Sequence, residues 1–207
     1  QLFTRAILGA LNAPESAHLS ADLIETLERI LLDAHLSSSY KTQLLSLPNF
    51  ATLAQKVQHT QALDPQKLFA ARKAVGNALV HSLGYYWSDT YVQLNDGAAY
   101  RYDGESAGKR SLKNLALAYW AKSRERKGDA WRAVRNQYQN SDNMTDRIAA
   151  LNIAIEYFHD DNVGAGALIE DFYQRYQNEA LVIDKWFSAQ AARSSGTFAQ
   201  MQASLNA

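Results

Sequence analysis

The spacing of apolar residues restricts the fold of this chain more than any other feature of its sequence. In four windows, apolar side chains recur every third or fourth position, which predicts amphipathic helices with one buried face each. The four stripes are Leu23, Ile24, Leu27, Ile30 and Leu31; Leu68, Phe69, Val75, Leu79 and Leu83; Ile148, Leu151, Ile155 and Phe158; and Leu168, Ile169, Phe172, Tyr173 and Tyr176. The alternation that is typical of a half-buried strand is almost absent, and residues 181–183 (LVI) are strand-like for three positions only.

Turn residues divide the chain into about ten or eleven helices, most of them short. With only 3 Pro and 10 Gly, the sequence has too few turn residues for a many-stranded sheet. Asp64 and Pro65 predict a helix start, because a carboxylate can cap the first N–H groups and Pro suits the first helical position. Gly84 can end that helix, and the connection over residues 95–105 is the most probable long loop.

A weak repeat accompanies this pattern near the carboxyl end. Arg110, Arg147 and Lys185 stand at apparent helix starts, and they are 37 and 38 residues apart. This interval matches the length of a helix-pair repeat of the armadillo or HEAT type. Asn143 or Thr145 can cap the helix that begins near Asp146.

The charge balance argues against a polyanionic partner. Lys and Arg together number 21, and so do Asp and Glu, so no overall field attracts nucleic acid or an anionic membrane. Locally, residues 109–135 hold nine basic side chains and two acidic ones, whereas residues 156–171 hold five carboxylates and no Lys or Arg. We interpret both stretches as solvated helix faces or as a seam between neighbouring helices.

The chain contains no Cys, which excludes disulfides and thiolate metal sites and agrees with a reducing compartment. No apolar run approaches the roughly 20 residues that cross a bilayer, and no signal peptide is recognisable. The first residue is Gln1, and residues 2–11 have the pattern of the middle of a helix. We therefore expect the sequence to be a fragment of a longer protein.

One pair of residues has the spacing of metal ligands. Glu156 and His159 stand three positions apart, so they share a helix face, as in half of a di-iron bundle site. A second Glu-x-x-His is absent, and His159 near a helix end has an ordinary structural interpretation. The zinc motif His-Glu-x-x-His, the Gly-x-Ser-x-Gly elbow and the phosphate-binding glycine loops are also absent from the sequence. We assign no catalytic, cofactor-binding or metal-binding residue.

Aromatic residues are concentrated in the middle of the chain and could stack on bases or rings. The group comprises Tyr85, Tyr86, Trp87, Tyr91, Tyr100 and Tyr102. Because the charge is balanced, we favour packing in the core over nucleic-acid binding. Trp120, Trp131 and Trp186 are likewise predicted to be core or interhelical anchors.

Three segments together carry a resemblance to a known family. They are residues 108–114 (GKRSLKN), 142–146 (DNMTD) and 181–187 (LVIDKWF), and the last two open helix-like runs. With residues 45–48 (LSLP) and 64–65 (DP), they resemble the C-terminal helical domain of bacterial-type aminopeptidase N, a family of zinc metallopeptidases. The similarity covers essentially the whole chain.

The resemblance implies an all-α fold of stacked antiparallel helix pairs, forming one armadillo- or HEAT-like superhelical domain over residues 1–207. In the family, such a domain closes over a thermolysin-like catalytic domain and helps to enclose its chamber. Zinc is held by His-Glu-x-x-His and a further Glu, and a Gly-x-Met-Glu-Asn segment recognises the substrate amine; this chain has neither motif. The resemblance further implies that we should expect the chain to end, at Ala207, before the last helices that the family carries.

These observations lead to one functional prediction and two alternatives. We expect a non-catalytic domain of a cytoplasmic, bacterial-type zinc aminopeptidase, whose partners are the other domains of the same polypeptide and, through the parent enzyme, peptides. The chain itself is expected to need no cofactor. The first alternative is a separate helical scaffold that binds a protein or peptide partner. The second is an enzyme with a helical-bundle metal site around Glu156 and His159.

Overall fold

The computed structural model describes residues 2–58, 62–123, 126–159 and 164–191, and these residues form helices without any strand. A short 3₁₀ helix spans Pro14–Ser16. The α-helices are α1 (Leu2–Gly9), α2 (Ala21–Leu32), α3 (Ser38–Leu45), α4 (Phe50–Gln58), α5 (Pro65–Leu83), α6 (Tyr86–Leu94), α7 (Gly104–Lys122), α8 (Lys127–Asn140), α9 (Met144–Phe158), α10 (Ala165–Tyr176) and α11 (Ala180–Ala191). The all-α fold class predicted from the sequence is confirmed.

The chain divides into two compact units. Unit 1 comprises the described residues within 1–97 and 101–123, and unit 2 comprises those within 98–100 and 124–207. The assignment of the whole chain to a single domain stays a prediction.

Unit 1 is built around two 19-residue helices, α5 and α7. Helix α7 packs on α3 and α6, and α5 packs on α1, α4 and the 3₁₀ turn. The contact between α7 and α3 is close at Gly108, where an added Cβ would lie 3.0 Å from the backbone nitrogen of Ser39. A residue without a side chain is therefore needed at this crossing.

The described residues of unit 2 form a run of four consecutive helices, α8 to α11. Helices α8 and α9 form a pair joined by the short connection after Asn140, and α9 also packs on α10 and α11. Its fully buried side chains include Leu151, Phe158 and Phe172, and Trp131 packs on Phe158 with ring centroids 5.1 Å apart.

Two predicted helix boundaries are confirmed by their atomic contacts. The Asp64 carboxylate accepts hydrogen bonds from the N–H groups of Gln66 and Lys67 at 3.0 and 3.2 Å, and Pro65 is the first residue of α5. Gly84 follows the last residue of α5 with φ of +41°, a conformation that favours glycine.

Residues 181–183 lie inside α11, as predicted for the helix-like run that they open. Other predictions from the pattern were wrong in detail. Phe69 is 43% exposed although it belongs to the predicted stripe of α5. Arg110 and Lys185 stand in the second turn of α7 and α11, so the repeat does not mark helix starts. Helix α7 begins at Gly104, one residue before the predicted end of the loop.

Candidate functional site at the junction of helices α8, α9 and α10

The start of α9 is fixed by Asn143, which the sequence predicted as one of two possible caps. The Asn143 side-chain oxygen accepts from the Asp146 backbone N–H at 2.9 Å, and its amide donates to the Asp146 carboxylate at 3.2 Å. Asp146 is 3% exposed, so the Asn143 amide partners a carboxylate that is almost fully removed from water. Asn143 is thus the cap, and Thr145 lies within the first turn.

Arg147 connects the beginning of α9 with the end of α8. Its guanidinium donates to the backbone oxygens of Tyr138, at 3.2 Å, and of Ser141, and to the Tyr176 hydroxyl at 2.6 Å. The last carbonyls of a helix lack intrahelical partners and carry a partial negative charge, so a cation there satisfies both needs. Arg147 therefore joins α8, α9 and α10 through neutral oxygen acceptors.

Tyr138 makes a second polar connection across the same junction. Its ring is 1% exposed, and its hydroxyl donates to the Asp171 carboxylate on α10 at 2.8 Å. The pKa of the Tyr138 hydroxyl is raised well above its usual value, mainly because the group is buried and secondly because of this hydrogen bond. Asp171 also pairs with Arg175 at 2.7 Å, so its charge is compensated. The predicted stripes did not include Tyr138, although Trp131, Val134 and Tyr138 recur at helical spacing on the buried face of α8.

The third segment of the resemblance, residues 181–187, anchors α11. The Trp186 indole N–H donates to the Ile169 backbone oxygen at 2.9 Å, and its ring packs against Tyr173 with centroids 5.2 Å apart. Trp186 is 8% exposed, which confirms the predicted interhelical anchor. Trp120 and Trp131, at 9% and 7%, are also buried as predicted.

The aromatic group in the middle of the chain behaves in two ways. Trp87 and Tyr91 are buried, as the packing interpretation predicted. Tyr85, Tyr100 and Tyr102 are 62%, 44% and 95% exposed, so that interpretation was wrong for them. Tyr85 stands outside the regular part of α6, and Tyr100 and Tyr102 lie in the connection to α7.

The basic stretch carries its own counter-charges. Asp129 pairs with Arg126 at 3.1 Å and with Arg132. The hydrogen bond from Arg132, and after it the one from Arg126, lowers the pKa of the Asp129 carboxyl. Lys109 pairs with Glu105 at 2.9 Å one turn earlier in α7. These exposed pairs agree with the solvated-face interpretation. Within the acidic stretch, residues 160 and 161 lie outside the described residues.

Glu156 and His159 both belong to the end of α9, where Glu156 is half-buried and His159 follows the last helical residue. Among the described residues, no group of three or more His, Cys, Asp or Glu side chains is close enough to hold a metal ion. The junction of α8, α9 and α10 itself presents hydroxyls, carbonyls and compensated charges. This arrangement orients helices, and it offers no activated nucleophile with an adjacent base.

Within the part of the chain that the structure covers, we find no helix with both the length and the apolar character needed to span a membrane.

The chain is similar in sequence to one part of several aminopeptidases. It is 29% identical over 181 residues to aminopeptidase N of Haemophilus influenzae, a match that covers 86% of this chain and 19% of that protein. It is 27% identical over 173 residues to aminopeptidase N of Escherichia coli, covering 84% of this chain and 19% of the relative. The chain thus spans about a fifth of the length of these relatives.

A solved structure shows the same fold. Legionella pneumophila aminopeptidase A, in complex with aspartic acid, superposes with a TM-score of 0.76 over 93% of this chain and 23% of that one, at 21% sequence identity. The resemblance to aminopeptidase N predicted from the sequence is confirmed by these relatives.

A family model agrees with the array of helix pairs. The model described as a domain of unknown function with ARM repeats, DUF3458_C, matches residues 1–207. The ARM repeats of that description correspond to the predicted armadillo-like architecture. The chain therefore belongs to the DUF3458_C family of ARM-repeat domains.

Proposed function

We propose that this chain is a non-catalytic helical domain of a zinc aminopeptidase that removes N-terminal residues from peptides. The observation that supports this most is the match of 86% of the chain to only 19% of an aminopeptidase N. Such a match is expected for one domain of a larger enzyme. The cytoplasmic location and the zinc dependence of that enzyme are parts of the same proposal.

In this proposal the domain packs over the catalytic domain and restricts access to the active-site chamber. An enclosed active site excludes folded proteins and admits short peptides, so selectivity arises from access as well as from pocket contacts. The contacts of Arg147 and Tyr138 suit this role, since they hold three helices in fixed register. A rigid wall limits access better than a mobile one.

The first test asks whether the chain itself is an enzyme. The purified chain, freed of contaminating peptidase, is assayed with an aminoacyl arylamide in the presence and absence of added zinc. We expect no cleavage under either condition, because the residues that hold zinc in the family are not in the sequence. Zinc-dependent cleavage that co-purifies with the chain, and that is lost in His159→Ala, would instead support the metal site at Glu156 and His159.

The second test addresses access to the chamber in the parent enzyme. The kcat/KM for an aminoacyl arylamide and for a series of peptides of increasing length is compared between the intact enzyme and one that lacks this domain. If the domain forms part of the chamber wall, its removal should raise the kcat/KM for long peptides relative to the kcat/KM for the short substrate. Adding the 207-residue chain back in trans should lower that ratio again. An unchanged ratio in a folded, active deletion variant would refute the access role.

The ARM-repeat description favours a second candidate, a scaffold that binds a separate protein or peptide. A pull-down with the purified chain distinguishes the two. Recovery of the catalytic part of an aminopeptidase supports the first proposal, whereas stoichiometric recovery of a different protein with no peptidase domain supports the scaffold.

A further inference from the structure

Glu28 on helix α2 of unit 1 carries a carboxylate that is bound by a tyrosine of α6. The Tyr86 hydroxyl on α6 donates to Glu28 Oε1 on α2 at 2.5 Å, and this bond raises the pKa of the Tyr86 hydroxyl. Within the described part of the chain, no Lys, Arg or His side chain forms an ion pair with Glu28. The adjacent Arg29 is already paired with Glu25 at 2.5 Å.

One tyrosine ring contacts this carboxylate through its hydroxyl, and a second ring is stacked on the first. Tyr85 and Tyr86 are stacked at a tilt, with ring centroids 4.5 Å apart and an angle of 31° between the ring planes. Tyr86 is held by Glu28, whereas Tyr85 is 62% exposed to solvent. A solvent-exposed, electron-rich aromatic ring is therefore connected through Tyr86 to a half-buried carboxylate.

The surroundings strengthen the negative potential and add an apolar rim. Helices α2 and α6 together hold four acidic side chains and one basic side chain, and the single charged residue of α6 is the exposed Asp89, one turn after Tyr85. Leu32 is one turn after Glu28 on the same face of α2 and is 57% exposed. The nearby Lys41 of α3 is engaged with the Leu31 backbone oxygen at 2.7 Å.

We propose that Tyr85, Tyr86 and Glu28 form a recognition site for an arginine side chain of a partner polypeptide. The flat guanidinium stacks on the exposed Tyr85 ring and donates an N–H to the Glu28 carboxylate. Its methylene stem lies along Leu32, and Asp89 adds attraction at longer range. The ligand must therefore be a planar cation that has N–H donors along its edge and is attached to an apolar stem.

Other ligand classes fit these side chains less well. A quaternary ammonium ion can sit over an aromatic ring but has no N–H to donate to Glu28. A lysine ammonium donates hydrogen bonds but does not stack as a plane on the ring. Anionic ligands are repelled by the four carboxylates of α2 and α6. The assignment is independent of the proposed aminopeptidase function.

The first measurement uses a matched pair of peptides. The ¹⁵N-labelled 207-residue chain is titrated with acetyl-Gly-Arg-Gly-amide and with the same peptide containing citrulline, which has the shape of arginine without its charge. We expect saturable shifts of the Glu28, Tyr85 and Tyr86 amide signals in the millimolar range, and binding at least about tenfold weaker for citrulline. Equal affinity for the two peptides, or stronger binding of tetramethylammonium, overturns the assignment.

The second measurement separates local recognition from the general field of the protein. Glu28→Gln keeps an acceptor for Tyr86 but removes the charge, and we expect it to weaken arginine-peptide binding at least about fivefold. Glu25→Gln changes the net charge by the same amount on the same helix, and we expect less than about a twofold change because that carboxylate is already paired. Equal weakening in both variants refutes the site.

A third variant tests the aromatic face. Tyr85→Leu retains an apolar side chain at a solvent-exposed position, so the fold is expected to persist, as a thermal melt would verify. Loss of the stacked ring should weaken the arginine peptide at least about threefold. The matched control is Tyr102→Leu, which removes a 95% exposed tyrosine elsewhere in unit 1 and should leave binding unchanged. Unaltered binding in the Tyr85 variant contradicts the proposal.

Discussion

Units 1 and 2 both pack helices around buried aromatic rings, but they position those helices by different means. In unit 1, Trp87 is fully buried against Tyr119, with ring centroids 4.7 Å apart, and Gly108 lets α7 approach Ser39 of α3. In unit 2, the buried ring of Tyr138 also carries a hydroxyl that bonds to α10, and Arg147 bonds to three oxygens. Unit 1 also has polar contacts between its helices, such as the bond from the Tyr119 hydroxyl to the Leu45 backbone oxygen at 3.0 Å. What distinguishes unit 2 is that several polar contacts converge on one junction, that of α8, α9 and α10.

The largest expected effect tests the role of shape in unit 1. Trp87→Ala should lower the free energy of unfolding by about 3–5 kcal/mol, because it removes a large buried side chain and leaves a cavity. Urea denaturation measures the loss, and hydrogen exchange shows whether α6 and α7 lose protection. Trp87→Phe should lose much less, about 1–2 kcal/mol. The indole N–H that it deletes has no acceptor among the described residues, so no hydrogen bond is lost.

The next effect tests the polar contacts of unit 2. Arg147→Met should lower the free energy of unfolding by about 1–3 kcal/mol, since the oxygens of Tyr138 and Ser141 lose a donor in a half-buried place. Arg132→Met is the control, because Arg132 is 80% exposed and its pair with Asp129 at the surface should contribute little to stability. If both variants melt alike, the polar description of unit 2 is incorrect.

A glycine pair on one helix tests the close approach in unit 1. In Gly108→Ala the new Cβ would lie 3.0 Å from the Ser39 nitrogen, and we expect a net destabilisation of about 1–2 kcal/mol despite the better helix propensity of Ala. Gly104 begins the same helix, and a Cβ added there would have no neighbour within 4 Å. The free energy of unfolding of Gly104→Ala should therefore change by less than about 0.5 kcal/mol. Circular dichroism melts compare the two, and an equally mild effect would show that α3 moves aside easily.

The two units also differ in how much of them the sequence could predict. Boundaries set by one residue were predictable, since the Asp64 cap, the Gly84 end and the Asn143 cap depend on contacts within a few residues. The exposure of individual side chains was harder to predict. A stripe such as that of α5 indicates which face of the helix is buried, but it does not indicate how far the neighbouring helices extend over that face. Phe69 lies beyond that cover and is 43% exposed.

The polar junction of unit 2 could be found only in part. The segment 142–146 drew attention through its resemblance, and its cap was predicted from local chemistry. The bonds from Arg147 to Tyr176 and from Tyr138 to Asp171 join residues 29 and 33 positions apart. Such pairs depend on how helices cross, and periodicity along one helix carries no information about them.

The smallest expected effect concerns the cap that begins α9. Asn143→Ala should lower the free energy of unfolding by about 1 kcal/mol, because the Asp146 N–H loses its acceptor. Thr145→Ala should have little effect, since Thr145 is exposed and already inside the helix. Urea denaturation of both variants provides the comparison, with kinetics measured in parallel in the aminopeptidase that we propose as the parent enzyme.

Asn143→Asp sharpens this last prediction by separating the two bonds that Asn143 makes. An aspartate retains the acceptor for the Asp146 N–H, but it loses the amide that donates to the Asp146 carboxylate at 3.2 Å. Two carboxylates would then face each other next to Asp142, and like charges at this distance repel. We therefore expect Asn143→Asp to be less stable than the wild type at pH 7 and to recover as the pH falls and a carboxylate is protonated. Unchanged stability together with altered peptidase kinetics would assign this residue to function and remove it from the structural contacts that distinguish unit 2.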